Sequence, residues 1–133
     1  LKPRALQLPA DLSRATEVAA FIEAACETWG LDARRAYALQ LCAEEIFANI
    51  AMHGGGAATR VEITLAGDAT TQRLTFTDTG PAFDPTAASL PPDTLNLEDA
   101  TVGGRGLLLA RRFCTGMEYV RRDGLNRLEM WFG

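Results

Sequence analysis

The apolar positions of the chain follow two rhythms, one near 3.6 residues and one of 2, and the switches between them mark out the elements. Leu6 and Leu8 alternate in RALQLP and predict a short edge strand, stopped by Pro9, which has no N–H to give to a ladder. Ala15, Val18, Ala19, Ile22, Ala25 and Cys26 then recur at helical spacing, with Asp11 or Ser13 as cap and Gly30 at the left-handed C-terminal position. Asp32 caps a second predicted helix, DARRAYALQLCAEEIFANIAMH, which runs to the break at Gly54, Gly55 and Gly56. Beyond it the period falls to two. Val61, Ile63 and Leu65, then Leu74 and Phe76, flank Gly67 and Asp68 and predict a hairpin. From Phe83 to Val102 no period persists; Pro85, Pro91 and Pro92 interrupt a stretch with acids and no base, and residues 84–103 are predicted to form a lid. Gly103, Gly104 and Gly106 introduce a third helical run, GLLLARRFC, and GMEYVRR and NRLEMWF predict a final hairpin about Asp123 and Gly124. This order predicts an α+β fold, a two-layer α/β sandwich with helices on one face of a mixed, mostly antiparallel sheet.

Composition narrows the field. At 133 residues and 14.3 kDa, the chain is expected to be one domain over 1–133, and 47% hydrophobic against 23% charged residues suits a packed core rather than a disordered chain. A formal net charge of −4 argues against a protein that wraps a nucleic-acid duplex, although a single nucleotide needs only local donors. No apolar run approaches the roughly 20 residues that span a bilayer, and LKPRALQLPADL is unlike a signal peptide, so no membrane association and a cytoplasmic location are expected. Cys26, Cys42 and Cys114 form no C-x-x-C pair and His53 is the one histidine, which argues against a zinc site or a disulfide framework. Three buried thiols in a reducing compartment are the expectation.

Three places carry more than core or turn chemistry. On a helical wheel centred on Ile46, Glu44 points to solvent, whereas Asn49 falls about 60° and Glu45 about 100° from that centre, so two polar groups lean inward one turn apart. An amide beside a carboxylate suits Mg²⁺ chemistry; the same i, i+4 pair also occurs on ordinary helix flanks. DTGPAFDP places Asp78 at a strand end before Gly80, which serves a turn or an acceptor for an exocyclic amine beside a backbone that a flat ligand can approach. VGGRGLLLARRF clusters backbone N–H groups at a helix start, as a phosphate site or as a hinge; it has neither the Walker A nor the Rossmann spacing.

Taken together, the order and separation of these segments resemble the ATPase domain of the gyrase, histidine kinase and MutL superfamily, and within it the anti-sigma factor serine/threonine kinase branch. EIFANIAMHG is similar to that branch's N-box, DTGPAFDP to its G1 box and GGRGLLLARRF to its G2 box, and the likeness covers almost the whole chain. The resemblance implies the histidine kinase-like ATPase, or Bergerat, fold. It implies Glu45 as the catalytic carboxylate, Asn49 as the Mg²⁺ ligand, Asp78 as acceptor from the adenine amino group with Gly80 and Phe83 beside the base, and Gly103, Gly104, Arg105, Gly106 and Leu107 around the phosphates of ATP. His53, at the place of a histidine that often closes the N-box helix, is read as structural. The chain departs from the pattern at Ala82, where a second glycine is common, and at Thr115, where an aspartate is common.

The activity so implied is a Mg-ATP-dependent serine/threonine protein kinase that phosphorylates a STAS-domain anti-sigma factor antagonist and otherwise sequesters a sigma factor. Phosphoryl transfer needs positioning and charge neutralisation more than covalent help, and this set of groups supplies both. A nucleotide-dependent binding regulator with weak or no phosphotransfer is the alternative, as is the ATP-binding domain of a larger signalling protein. A sensor histidine kinase fragment fits less well, because the one histidine lies inside the N-box. Direct nucleic-acid binding is not expected, and pairing into a homodimer, common in the family, is compatible with the chain. The acidic lid followed by Arg105, Arg111 and Arg112 suggests a basic rim at the phosphate end.

Overall fold

The structure, a computed structural model, describes residues 3–54, 58–84 and 112–133. Five strands and two helices make up the framework: β1 (Arg4–Pro9), α1 (Ala15–Trp29), α2 (Ala33–His53), β2 (Arg60–Gly67), β3 (Gln72–Asp78), β4 (Gly116–Arg122) and β5 (Leu125–Phe132). The strands form one sheet in the order β1-β2-β3-β5-β4, and every neighbouring pair is antiparallel. Among the described residues the sheet is therefore antiparallel throughout, and the mixed component allowed by the sequence is not found. Both helices pack on one face, which gives the expected two-layer α+β sandwich.

Local chemistry explains the boundaries. Asp11 accepts from the Ser13 N–H at 2.9 Å and so caps a 3-10 turn, Leu12–Arg14, that leads directly into α1. Gly30 ends α1 in the left-handed conformation (φ 62°) and returns its N–H to the last turn. Asp32 caps α2 by accepting from the Arg35 N–H at 2.8 Å. Asp123 (φ 54°) and Gly124 (φ 77°) both adopt the positive φ that a two-residue hairpin turn matched to strand twist requires.

Packing follows the apolar phases. Val18, Ile22, Ala25 and Cys26 of α1 and Leu39, Cys42, Ile46 and Phe47 of α2 bury against Ile63, Leu65, Leu74, Phe76, Met130 and Phe132 of the sheet. Full burial of each large apolar side chain stabilises by about 1.5–3 kcal/mol, so this layer dominates the fold's stability. The opposite sheet face is polar: Glu129 there faces Arg73 at 3.6 Å and Arg127 at 3.4 Å, ion pairs with arginines exposed enough to contribute about 0–1 kcal/mol each. Arg35 ties the start of α2 to the β2–β3 turn, donating to Gln72 Oε1 at 2.9 Å and to the Thr70 carbonyl at 3.3 Å. The thiols are free; Cys26 and Cys42 are buried as expected, whereas Cys114, expected to be buried too, is only half-buried. Burial pushes the Cys42 thiol up to about 12, with a smaller contribution from Cys114, so it stays protonated and inert at neutral pH. No helix among the described residues is long and apolar enough to cross a membrane.

Of the third predicted helix, only Arg112, Phe113 and Cys114 at its end fall within the described residues; the first two are helical and Cys114 is not. The predicted lid, apart from Asp84 at its start, lies outside them.

Candidate functional site

The last two turns of α2 meet the ends of β3 and β5 around a cavity. Ile46, Asn49, Ile50 and His53 recur at i, i+3, i+4 and i+7, so they share the helix face that forms one wall, and Gly54 continues it. The facing wall comprises Phe76 and Asp78 of β3, Pro81 and Phe83 of the following loop, and Tyr119, Asn126 and Leu128 of the β4–β5 hairpin. The cavity is partly open to solvent, with a volume of about 30 Å³.

Asp78 reaches this wall because it continues the inward phase of Leu74 and Phe76, and only 6% of it is exposed. A buried carboxylate is costly unless donors surround it. Two do: the Gly80 N–H donates to its Oδ1 at 2.9 Å and the Asn126 Nδ2 at 3.0 Å. Its Oδ2 makes no hydrogen bond to any described residue. Asn126 pairs with Asp78 in the β3–β5 register and is itself buried. Its Nδ2 also donates to the Pro81 carbonyl at 2.8 Å and the Gly80 carbonyl at 3.4 Å, while its Oδ1 accepts from the Tyr119 hydroxyl at 2.5 Å and from the Phe83 N–H at 3.4 Å. Arg121 adds a charged donor, with Nη1 2.8 Å from the Gly80 carbonyl.

The loop that carries Asp78 and Gly80 is held from below as well. Thr79 and Arg60 exchange two hydrogen bonds, Thr79 N–H to the Arg60 carbonyl at 3.1 Å and Arg60 N–H to Thr79 Oγ1 at 2.9 Å. A Cβ at position 80 would lie 2.5 Å from the Gly54 carbonyl oxygen, which also accepts from the Thr59 hydroxyl. Glycine at 80 is thus required by the chain's own close backbone approach, a reason distinct from room for a flat ligand.

The structure brings Asn49, Asp78 and Phe83 to one cavity, while Gly80 is not among its lining residues and touches it through its bond to Asp78. Asn49 is 5% exposed and makes no hydrogen bond to any described residue. Phe83 is 40% exposed and its ring lies 6.4 Å from that of His53, stacked at 29°; His53 therefore lines the site as well as closing the helix. Glu45 is half-buried, has interactions of its own and is not among the residues that line the cavity. Gly103, Gly104, Arg105, Gly106 and Leu107 lie outside the described residues. Thr115, the second departure from the family pattern, donates through its N–H (2.6 Å) and its hydroxyl (3.2 Å) to the Trp131 carbonyl at the open end of the β4–β5 ladder.

Sequence reasoning did not single out Tyr119, Arg121 or Asn126. A signal existed for Asn126: in LNRLEMWF it occupies the phase of Leu128, Met130 and Phe132, a polar group at a core position. Tyr119 and Arg121 carry no such signal, since β4 is largely polar and exposed.

Among the described residues no three acidic, histidine or cysteine side chains gather into a metal cluster. A Mg²⁺ ion that keeps several waters and takes phosphate oxygens needs only one or two protein ligands, and Asn49, whose amide oxygen is a hard ligand on the cavity wall, fits that role.

Comparison with known proteins agrees with this architecture. Residues 8–132 match the family described as Histidine kinase-like ATPase domain. The chain is 36% identical to the serine/threonine-protein kinase BtrW of Bordetella bronchiseptica over 97% of its own length and 92% of that protein. The catalytic domain of the histidine kinase ThkA superposes with a TM-score of 0.55 at 12% identity, covering 99% of this chain and 95% of that one. The histidine kinase domain of a blue-light-activated kinase from Erythrobacter litoralis gives 0.52 at 15% identity, covering 93% of this chain, which spans 60% of that structure.

Proposed function

The chain belongs to the histidine kinase-like ATPase family, and on that basis we propose that it is a Mg-ATP-dependent serine/threonine protein kinase of the anti-sigma type. Its substrate would be a serine or threonine on a STAS-domain antagonist, and in the antagonist's absence it would hold a sigma factor. The observation that carries the nucleotide part is Asp78, a buried carboxylate that lines the cavity and accepts through Oδ1 from the Gly80 N–H and from Asn126 Nδ2. An adenine amino group is a donor from which such a carboxylate can accept. The protein-kinase part is supported by the likeness to BtrW, whose name states that activity.

The chain's own groups divide the work. Asp78 fixes the base, and Ile46, Ile50 and Leu128 give it apolar contact. Phe83, partly exposed and among the residues that line the cavity, would lie beside the base. Asn49 would hold Mg²⁺, which when bound neutralises phosphate charge. Glu45, one turn earlier on α2, would accept the proton of the attacking hydroxyl. Gly103, Gly104, Arg105, Gly106 and Leu107 would surround the phosphates.

The test is incubation of the protein with γ-labelled ATP and a candidate STAS protein. Label is expected on the STAS protein, and Glu45→Ala should abolish transfer while ADP affinity stays within about twofold of the parent, since a base acts on the reacting proton rather than on binding. The position of Glu45 off the cavity wall favours the second reading, a nucleotide-dependent binding regulator. Transfer unchanged in Glu45→Ala would remove Glu45 as the base, and transfer absent from the parent protein would decide for the binding regulator over the kinase.

A further inference from the structure

We infer that the outer edge of β4 is a self-association surface, at which a second copy of this chain adds its own β4 antiparallel and extends the sheet through both copies. The inference goes beyond the nucleotide reading and does not depend on it. Among the described residues nothing pairs with that edge, since β4 ends the order β1-β2-β3-β5-β4. The two edges of the sheet differ. β1 follows Pro3 and ends in Pro9, and proline blunts an edge because it has no N–H to offer. β4, Gly116–Arg122, has no proline along its 7 residues.

The charges of β4 are unbalanced within the chain and balanced against a copy of themselves. In the β4–β5 register Glu118 is opposite Glu129, a like-charge pair, and Glu129 already faces Arg73 and Arg127. Glu118 and Arg122 are both exposed, and neither has an ion pair among the described residues. Val120, between them, is apolar yet 41% exposed. These three alternate with Met117, Tyr119 and Arg121; Tyr119 lines the cavity on the helix-bearing face, so Glu118, Val120 and Arg122 belong to the outer face. Two copies joined edge to edge through antiparallel strands are related by a twofold axis normal to the sheet, so each face continues as the same face and inward residues meet inward ones. Of the registers this allows, the one centred on Val120 sets Glu118 against the partner's Arg122 at both ends and Val120 against the partner's Val120, with Tyr119 against the partner's Arg121 on the inner face. Centring on Tyr119 leaves Glu118 opposite Val120 without a charge partner, and centring on Glu118 or Arg121 sets like charges opposite each other. The backbone suits the same register. In a two-residue hairpin the residues that flank the turn, here Arg122 and Leu125, form a hydrogen-bonded pair and bonding alternates from there, so the N–H and C=O groups of Tyr119 and Arg121 point to the free edge. Those are the residues that centring on Val120 brings opposite each other. Because Tyr119 lines the cavity, this pairing also sets the two cavities on either side of the dyad.

The experiment is sedimentation velocity on the whole chain without nucleotide, across about 1–500 µM, with thermal melts to show that each variant is folded. The parent protein should pass from monomer to dimer within that range, and raising salt from about 50 to 500 mM should weaken the dimer several-fold, because its ion pairs are exposed. Glu118→Arg alone and Arg122→Glu alone each set like charges opposite at both ends and should each weaken self-association at least about tenfold. The two changes move the net charge in opposite directions, so a common effect cannot come from overall repulsion. Mixing the two variants should restore dimers to within about threefold of the parent's affinity, since every position 118 then faces an opposite charge at the partner's position 122. A parent protein that stays monomeric across the range overturns the inference. So does a dimer indifferent to both reversals, which would lie on another surface such as β1. A mixture that stays monomeric overturns it too, because weakening without complementation is not the mark of this register.

Discussion

The two walls of the cavity are built on opposite logics. On the helix wall, Ile46, Asn49, Ile50 and His53 follow from the 3.6-residue repeat of one uninterrupted helix, and its polar member, Asn49, is left without a bond to any described residue. On the sheet wall, Asp78 and Asn126 come from strands 48 residues apart, and nearly every polar atom has a partner within the wall. Pre-organised acceptors can recognise a base with little rearrangement, whereas an amide that no described residue holds can turn toward an ion. Under the proposed function, recognition would fall to the sheet and charge handling to the helix.

Three substitutions test that division, in descending order of their expected effect on stability. Gly80→Ala should be the most damaging, because its Cβ would meet a backbone carbonyl at 2.5 Å that is itself held by Thr59 and cannot withdraw freely. Overpacking of this kind costs about 1–3 kcal/mol and should lower the melting midpoint by several degrees. A melting curve like the parent's would show the sheet wall to be more pliable than its bonding suggests. Asp32→Ala removes the cap of α2 and should cost about 1 kcal/mol by denaturant titration, with ADP affinity little changed, since the cap lies at the far end of the helix from the cavity. A large loss of ADP affinity there would mean that the helix wall depends on the whole of α2. Asn49→Ala should cost the least, about 1 kcal/mol or less, because no bond to a described residue is lost. Its signature should instead be ADP affinity that no longer responds to added Mg²⁺. Destabilisation by more than about 1 kcal/mol, with the Mg²⁺ response intact, would make Asn49 a structural residue like those opposite it.

Legibility in the sequence differed between the walls for a physical reason. The inward lean of Asn49 beside the outward Glu44 follows from 100° per residue, and the structure places them so, buried and exposed respectively. The half-buried edge position of Glu45 was equally readable, but whether it lines the cavity depends on what packs alongside. Asp78 was legible as a strand end, yet its partner was not, since cross-strand register is invisible to a local window. Gly80 shows the same limit: its need for a missing Cβ arises from Gly54, far away along the chain and adjacent only after α2 folds onto the sheet.

What the sequence determined by itself is the set of elements, their caps and turns, and the apolar faces that join them. These depend on interactions between residues a few positions apart: the Asp32 carboxylate with the Arg35 N–H, the Asp123–Gly124 turn, the alternation in β2 and β3. Tertiary structure alone decided that β3 lies beside β5, and with it that Asn126 faces Asp78 and that Arg121 and Tyr119 reach the same loop. Such pairings depend on sheet order and register, which are fixed by burying the whole apolar layer at once rather than by any short segment.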